Sequence, residues 1–342
     1  MADISQLWPI AGLLVIAASA MLSAGLILLL HPLLVRYALA RPNARSSHKI
    51  PTPQGGGVAL IVSMLLVTGL AYILLRGMAV PVPEIATVFA ATMLIALVGA
   101  ADDIRTIEVA PRLALQAIAV AAVIAAIPPD ATIIPLMPWW IERLALLIGG
   151  IWFLNLVNFM DGIDWMTVAE ILPVTAGLAI LGSLGALPPY GIVAALALFG
   201  ATLGFAPFNR PVARLFLGDV GSLPLGLLIG WLLLLLAARG HLAAALLLPL
   251  YYLADATVTL IRRLLRGERI WHAHRTHFYQ RATDKGLGVH AIVGGVLFVN
   301  IALAGLAVVT VLTGTSGIKI GALAGGVILV GAFLAWLSRG KR

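Results

Sequence analysis

Long apolar runs, repeated from one end of this chain to the other, are the feature that most restricts what it can fold into. A helix that crosses the hydrocarbon core of a bilayer takes about 20 residues. Eleven stretches come near that length: 8–30, 58–75, 86–101, 113–128, 143–159, 168–186, 190–206, 222–238, 241–261, 291–312 and 317–337. The composition agrees, with 61% hydrophobic and 11% charged residues, where a soluble domain carries about 25% charged. An ordinary soluble protein, a disordered chain and a nucleic-acid-binding domain are thereby excluded. The expectation is an all-α polytopic membrane protein of about eleven spans. No linker, internal repeat or low-complexity tail divides it, so residues 1–342 read as one membrane domain.

The scarce charges give an orientation. The first apolar run is too long for a cleaved signal, and no Lys or Arg precedes Arg36. With the N-terminus outside, eighteen of the 22 Lys and Arg fall on inner segments. Only Arg76, Arg143, Arg239 and Lys319 fall outside. The C-terminus then lies inside, and Pro138-Trp139-Trp140 anchors an outer loop at the headgroups. The net charge of +8 reports topology and anionic lipid, not nucleic acid. The absence of cysteine removes disulfides, thiolate metal sites and Cys nucleophiles.

Each of the five inner loops carries a polar cluster, and the outer loops carry almost none. The first runs Lys49-Ile50-Pro51-Thr52-Pro53-Gln54-Gly55-Gly56-Gly57. Gly-rich backbone beside a Lys suits a phosphate, although it equally describes a turn into a helix. The second is Asp102-Asp103, two adjacent acids at the end of a span, where they repel each other unless a cation or a base is near. The third places Asn155, Asn158 and Asp161 at intervals of three, followed by Gly162 and Asp164. On a continuing helix the first three share about a third of the circumference, an oxygen-rich set suited to a hard cation such as Mg²⁺. The fourth is Asp219 between Gly218 and Gly221, a cation ligand or a helix cap. The fifth has Asp255, a basic run from Arg262, and then His272, His274, Arg275 and His277 beside aromatics. That suits a nucleotide or phosphoanion; a zinc site and a lipid-facing basic stripe are the alternatives.

Five such motifs, in this order and on one side, resemble those of the polyprenyl-phosphate N-acetylhexosamine-1-phosphate transferases, glycosyltransferase family 4. The resemblance runs from about Arg41 to Gln280. Lys49 and Thr52-Pro53-Gln54-Gly55-Gly56 look like the family's first cytoplasmic motif, and Asp102-Asp103 like its aspartate pair. Asn155, Asn158, Asp161 and Asp164 match its Asn-x-x-Asn-x-x-Asp-Gly-x-Asp motif, and Asp219 its principal Mg²⁺ ligand. The last motif departs from the run of histidines found in many members. Its form here, His274-Arg275-Thr276-His277-Phe278-Tyr279-Gln280, is similar to the branch that starts O-antigen or related polysaccharides, often with 6-deoxy N-acetyl sugars.

The resemblance implies a reaction of a UDP-N-acetylhexosamine with undecaprenyl phosphate at the cytoplasmic face of a bacterial inner membrane, with release of UMP. It implies Mg²⁺, or Mn²⁺ in its place, on Asp219 with Asp161 near it. Asp102 or Asp103 would position or deprotonate the lipid phosphate, with Asp164 in the same acidic set. Asn158 would orient the diphosphate, with Asn155, Thr52, Gly55 and Gly56 on the substrate side. Lys49 would sit near the lipid phosphate, and His274, Arg275 and His277 would hold phosphate or nucleotide. A homodimer is an assembly open to such a chain. The rival enzyme is the phospho-N-acetylmuramoyl-pentapeptide transferase of peptidoglycan synthesis. The rivals from other classes are a cation-coupled transporter, whose acids belong at the midplane, and a non-catalytic scaffold, which leaves the five motifs unexplained.

Overall fold

The computed structural model describes residues 4–40, 51–75, 78–128, 131–134, 137–268 and 274–339. Lys49 and His272 lie outside the described residues. The regular structure of the described residues is helical apart from one pair of short strands and an isolated bridge between Gln54 and Phe216. In chain order the elements are α1 (Ile4–Tyr37), β1 (Leu39–Ala40), β2 (Thr52–Pro53), α2 (Gly56–Leu74), α3 (Val82–Ile104), α4 (Val109–Ala125) and α5 (Trp139–Met160). They continue with α6 (Met166–Ser183), α7 (Pro189–Phe205), α8 (Asp219–Ala238), α9 (Leu242–Leu247), α10 (Leu250–Leu265), α11 (Phe278–Asp284), α12 (Val289–Thr313) and α13 (Ser316–Arg339).

Eight of the described helices are long and apolar enough to cross a bilayer: α1, α2, α3, α5, α6, α8, α12 and α13. Two more, α4 and α7, are apolar and 17 residues long. Their outer faces carry large apolar side chains such as Leu13, Ile73, Ile148, Phe298 and Ile328. Those faces have no place in water and belong against lipid acyl chains. The chain is an all-α polytopic membrane protein, as its sequence predicts.

The expected span over 241–261 is not one helix. It is α9 and α10, separated at Leu248-Pro249. Proline has no N–H to give to the preceding turn, and its ring collides with the carbonyl four residues back. A further residue of irregular backbone at that depth is tolerable because it is enclosed by protein; Leu247 and Leu248 are both buried.

α8 is the centre of the bundle, against α2, α3, α5 and α9. Leu225, Leu228, Leu232 and Leu236 recur at helical spacing and have no exposure. At its N-terminal end α2 comes so close that a Cβ on Gly57 would run into the backbone of Gly221. Membrane helices approach this tightly through small residues, since lipid gives no hydrophobic drive for helices to associate.

One end of the bundle is not helix. β1 and β2 pair antiparallel, Leu39 opposite Pro53 and Ala40 opposite Thr52. The segment 206–218 is stitched alongside: Phe216 N–H donates to the Pro53 carbonyl, and Gly56 and Gly57 N–H donate to the Phe216 and Leu217 carbonyls, each at 2.9 Å. Segments that are far apart in sequence are thus fixed beside the start of α8.

Candidate active site

At that end lies a cavity of about 760 Å³. The ends of α3 and α5, the start of α8, the 209–218 segment, β2 and the α11–α12 corner all reach it. Among the described residues its wall includes four carboxylates, Asp103, Asp161, Asp164 and Asp219, and no Lys or Arg. Asn158, Ser222, Asn209, Thr52, Gln54, Gln280 and His290 supply the neutral polar groups and the one imidazole.

The start of α8 is held by an acid from another helix. Asp103 accepts the backbone N–H of Asp219 at 3.0 Å and of Val220 at 3.1 Å. The first N–H groups of a helix have no partner within it, and a carboxylate there also meets the positive end of the helix dipole. Asp219, the first residue of α8, then faces Asn158, whose amide donates to Asp219 Oδ1 at 2.7 Å and to Ser222 Oγ at 2.9 Å. Asp219 also lies within electrostatic reach of both Asp102 and Asp103.

Asp161 follows the last turn of α5 and accepts the Thr167 hydroxyl on Oδ1. Burial pushes its carboxyl up to about 6, the Thr167 hydrogen bond opposes that rise, and Asp103 and Asp164 add to it. Asp164 braces the wall by accepting the Ala213 N–H at 2.9 Å. Trp165 does the same from its left-handed backbone (φ 62). Its ring N–H donates to the Ala206 carbonyl at 2.7 Å, and its backbone N–H to Asn209 Oδ1 at 2.8 Å.

Several expected site residues are placed elsewhere. Asn155 does not share the cavity with Asn158 and Asp161. It is buried against α4, exchanging hydrogen bonds with Gln116. A step of three residues turns a helix by about 300°, so Asn155 and Asp161 diverge by two such shortfalls. Asp102 accepts the Ile107 N–H at 2.6 Å and an Arg112 guanidinium N–H at 2.7 Å, behind the wall. The Gly56 and Gly57 amides are spent on the 216–217 carbonyls, so they are not free for a phosphate. Gly55, at φ 105, turns the chain into α2. Thr52 does border the cavity.

The His motif forms a support instead of a wall. His277 is 2% exposed, with Nδ1 at 3.4 Å from Asp255 Oδ1. Asp255 also accepts the Phe278 N–H at 3.0 Å and the Tyr279 N–H at 3.3 Å. An acid from α10 thus holds the start of α11, as Asp103 holds α8. Arg275 pairs with Asp284 at 3.0 Å, and His274 Nδ1 meets the Thr276 hydroxyl at 2.9 Å. None of His274, Arg275 and His277 borders the cavity. The motif reaches it through Gln280. Burial holds the Tyr279 phenol far above its ordinary range, so it stays a donor, to the Phe159 carbonyl at 3.0 Å.

Sequence reasoning missed Gln116, Thr167, Gln280 and His290. Gln280 stood in the quoted motif. His290 follows a Gly-rich turn, and a lone His there carries no signal.

Anionic phosphates cannot enter a wall of four carboxylates uncompensated. At an effective dielectric of about 20, two like charges 4 Å apart cost about 4 kcal/mol. Among the described residues no three His, Cys, Asp or Glu side chains form a ready metal cage. Mg²⁺ is usually held by one or two carboxylates with substrate phosphates and water completing its shell. Asp219 and Asp161 are the donors of the right type.

Comparison with known proteins agrees on the chemistry of the relatives. Residues 85–237, which include all four wall carboxylates, match the profile described as "Glycosyl transferase family 4". A "Probable undecaprenyl-phosphate N-acetylglucosaminyl 1-phosphate transferase" of Bacillus subtilis is 25% identical over 283 residues, 76% of this chain and 75% of that protein. A "Decaprenyl-phosphate N-acetylglucosaminephosphotransferase" of Mycolicibacterium smegmatis is 29% identical over 212 residues, 56% of this chain and about half (52%) of that protein's length. A "Phospho-N-acetylmuramoyl-pentapeptide-transferase" of Anaplasma marginale is 43% identical over only 86 residues, 22% of this chain and 25% of that protein.

Proposed function

The chain belongs to glycosyl transferase family 4, the polyprenyl-phosphate N-acetylhexosamine-1-phosphate transferases, and on that premise we propose that it moves an N-acetylhexosamine-1-phosphate from a UDP-sugar to undecaprenyl phosphate. The phosphorus on the sugar side of the diphosphate is transferred to an oxygen of the lipid phosphate. A new P–O bond forms, the bond to the bridging oxygen breaks, and that oxygen leaves on UMP. The observation that carries the reading is the single cavity in which Asp103, Asn158, Asp161, Asp164 and Asp219 meet at one end of a membrane bundle.

Phosphoryl transfer asks a protein mainly for position and charge compensation. Asp219 and Asp161 are the residues that would hold Mg²⁺ or Mn²⁺, which when bound neutralises diphosphate oxygens. Asn158 orients the Asp219 carboxylate and ties it to Ser222 through its two amide hydrogens. Asp103 fixes the start of α8, so that Asp219 stands in a set place. Ser222, Thr52, Gln54, Asn209, Gln280 and His290 offer hydrogen bonds to nucleotide and sugar. The distribution of Lys and Arg supports a cytoplasmic opening, in a bacterial inner membrane.

The departing His motif supports an O-antigen or related polysaccharide role with a 6-deoxy N-acetyl sugar. The pentapeptide transferase is the alternative enzyme, with matches that cover 22% and 37% of this chain. A transporter would place these acids at the midplane, whereas they gather at one end.

The test is UMP release by purified protein with a panel of UDP-N-acetyl sugars, with and without undecaprenyl phosphate and Mg²⁺. UMP is expected with one or a few sugars, and only when lipid phosphate and metal are both present. No UMP from any pair would overturn the reading. Turnover with UDP-N-acetylmuramoyl-pentapeptide alone would transfer it to the peptidoglycan enzyme.

A further inference from the structure

Four buried threonines inside the helices spend their hydroxyl hydrogen on a carbonyl of the preceding turn, while Thr259 donates to the Asp255 carboxylate within its own helix. Thr92 donates to Val88 at 2.8 Å, Thr175 to Ile171 at 2.6 Å, Thr202 to Leu198 at 2.8 Å and Thr310 to Ala307 at 2.7 Å. That is the ordinary way for a buried hydroxyl in a helix to be satisfied. Thr167, in the first turn of α6 and 1% exposed, does not follow them. It reaches back six residues and donates to Oδ1 of Asp161.

Asp161 needs such a partner. It has left the helix (φ −81, ψ 55), so no regular backbone fixes the direction of its side chain. Behind it the protein is closed to the outside. Tyr252 on α10, with no exposure, faces Thr167 and Asp161. Glu170, one turn further along α6, is tied to Asn300 of α12 at 2.6 Å. Thr167 is the donor that reaches the carboxylate from this layer, and by taking Oδ1 it leaves Oδ2 without a hydrogen bond among the described residues, on a side chain that lines the cavity.

We propose that Thr167 is a positioning residue: its hydroxyl locks the Asp161 carboxylate so that Oδ2 is presented into the cavity as a fixed ligand for a divalent cation. The inference rests on the reading of Asp161 as a cation ligand given above. A merely structural threonine would hold up α6 without affecting cation affinity.

The experiment uses the full-length protein in detergent and two readouts. One is Mn²⁺ binding, followed by the electron paramagnetic resonance signal of free Mn²⁺. The other is the Mg²⁺ concentration for half-maximal UMP release. Loss of a partner that orients a metal-ligating carboxylate costs about tenfold to a hundredfold in metal affinity. Thr167→Val, which keeps the shape and loses the hydroxyl, should bind Mn²⁺ at least about tenfold more weakly and need correspondingly more Mg²⁺. Thr167→Ser should match the wild type, and Asp161→Asn should lose the site. If Thr167→Val does not fold, Thr167→Ala takes its place, with the same expectation. Wild-type Mn²⁺ affinity in the Val or Ala variant overturns the proposal, as does a Ser variant as weak as the Val variant. Wild-type Mn²⁺ affinity in Asp161→Asn overturns the reading of Asp161 itself. If Asp161→Asn loses Mn²⁺ while Thr167→Val keeps it, Thr167 alone is removed from the site.

Discussion

Asp103 spends both of its oxygens on the first N–H groups of α8, and this separates its role from that of Asp219. Removing a helix cap costs about 1–2 kcal/mol. Asp103→Ala should therefore lower the thermal unfolding midpoint in detergent and reduce UMP release together, because α8 carries Asp219 with it. Asp103→Asn keeps an acceptor and should recover most of the stability. Asp219→Ala should behave in the opposite way, with transfer down by about a thousandfold or more and a midpoint close to wild type. An active Asp219→Ala variant would sink its assignment as a cation ligand. The types of these residues were legible in the sequence, since an acid beside hydrocarbon is costly unless it has a task. Their division of labour was not. Asp102 and Asp103 are neighbours in the chain, yet one is taken by Arg112 and the other by α8. Asn155 has the spacing of a site residue, but α4 supplies Gln116 to meet it.

Among the elements, α11 shows how a short helix of seven residues is held where its own length gives it little stability. Asp255 of α10 accepts two of its N–H groups, the Tyr251 hydroxyl at 3.3 Å and the Thr259 hydroxyl at 3.3 Å. Asp255→Ala would leave those donors buried and unsatisfied, at about 1–3 kcal/mol each. Faster proteolysis within 274–284 than in the wild type is the expected outcome, and unchanged cleavage would count against this clamp. The other side of α11 lies on the Asp161-Gly162 turn. A Cβ on Gly162 would run into the Tyr279 hydroxyl, with Gln280 Nε2 3.1 Å away. Gly162→Ala should then push α11 off the turn that carries Asp161. A displacement of about 1 Å can cost a hundredfold in rate, so UMP release should fall steeply while the midpoint falls little. The helices themselves were readable from apolar runs. The division of one run into α9 and α10 was signalled by Pro249, which hydropathy alone passes over.

For the whole molecule, the chain's lack of cysteine makes its orientation measurable. A single Cys can be placed at Val212, 77% exposed beside the cavity, or at Trp139, 63% exposed at the opposite end of its helix from Asp161. A membrane-impermeant maleimide added to intact cells should label Trp139→Cys at once. Val212→Cys should label only after the membrane is opened. The reverse pattern would turn the protein over and place the cavity outside. The sequence by itself determined the solvent: runs of apolar residues near the thickness of a bilayer leave hydrophobic burial in lipid as the only low-energy outcome. It also determined the chemistry, because so few charges survive in such a chain that those present must each be compensated or used. Which of them meet in one cavity was decided by the tertiary structure alone. Contacts between α3 and α8, α5 and α8, and α10 and α11 join residues far apart in sequence, and a side chain's direction depends on the partner that packing brings to it.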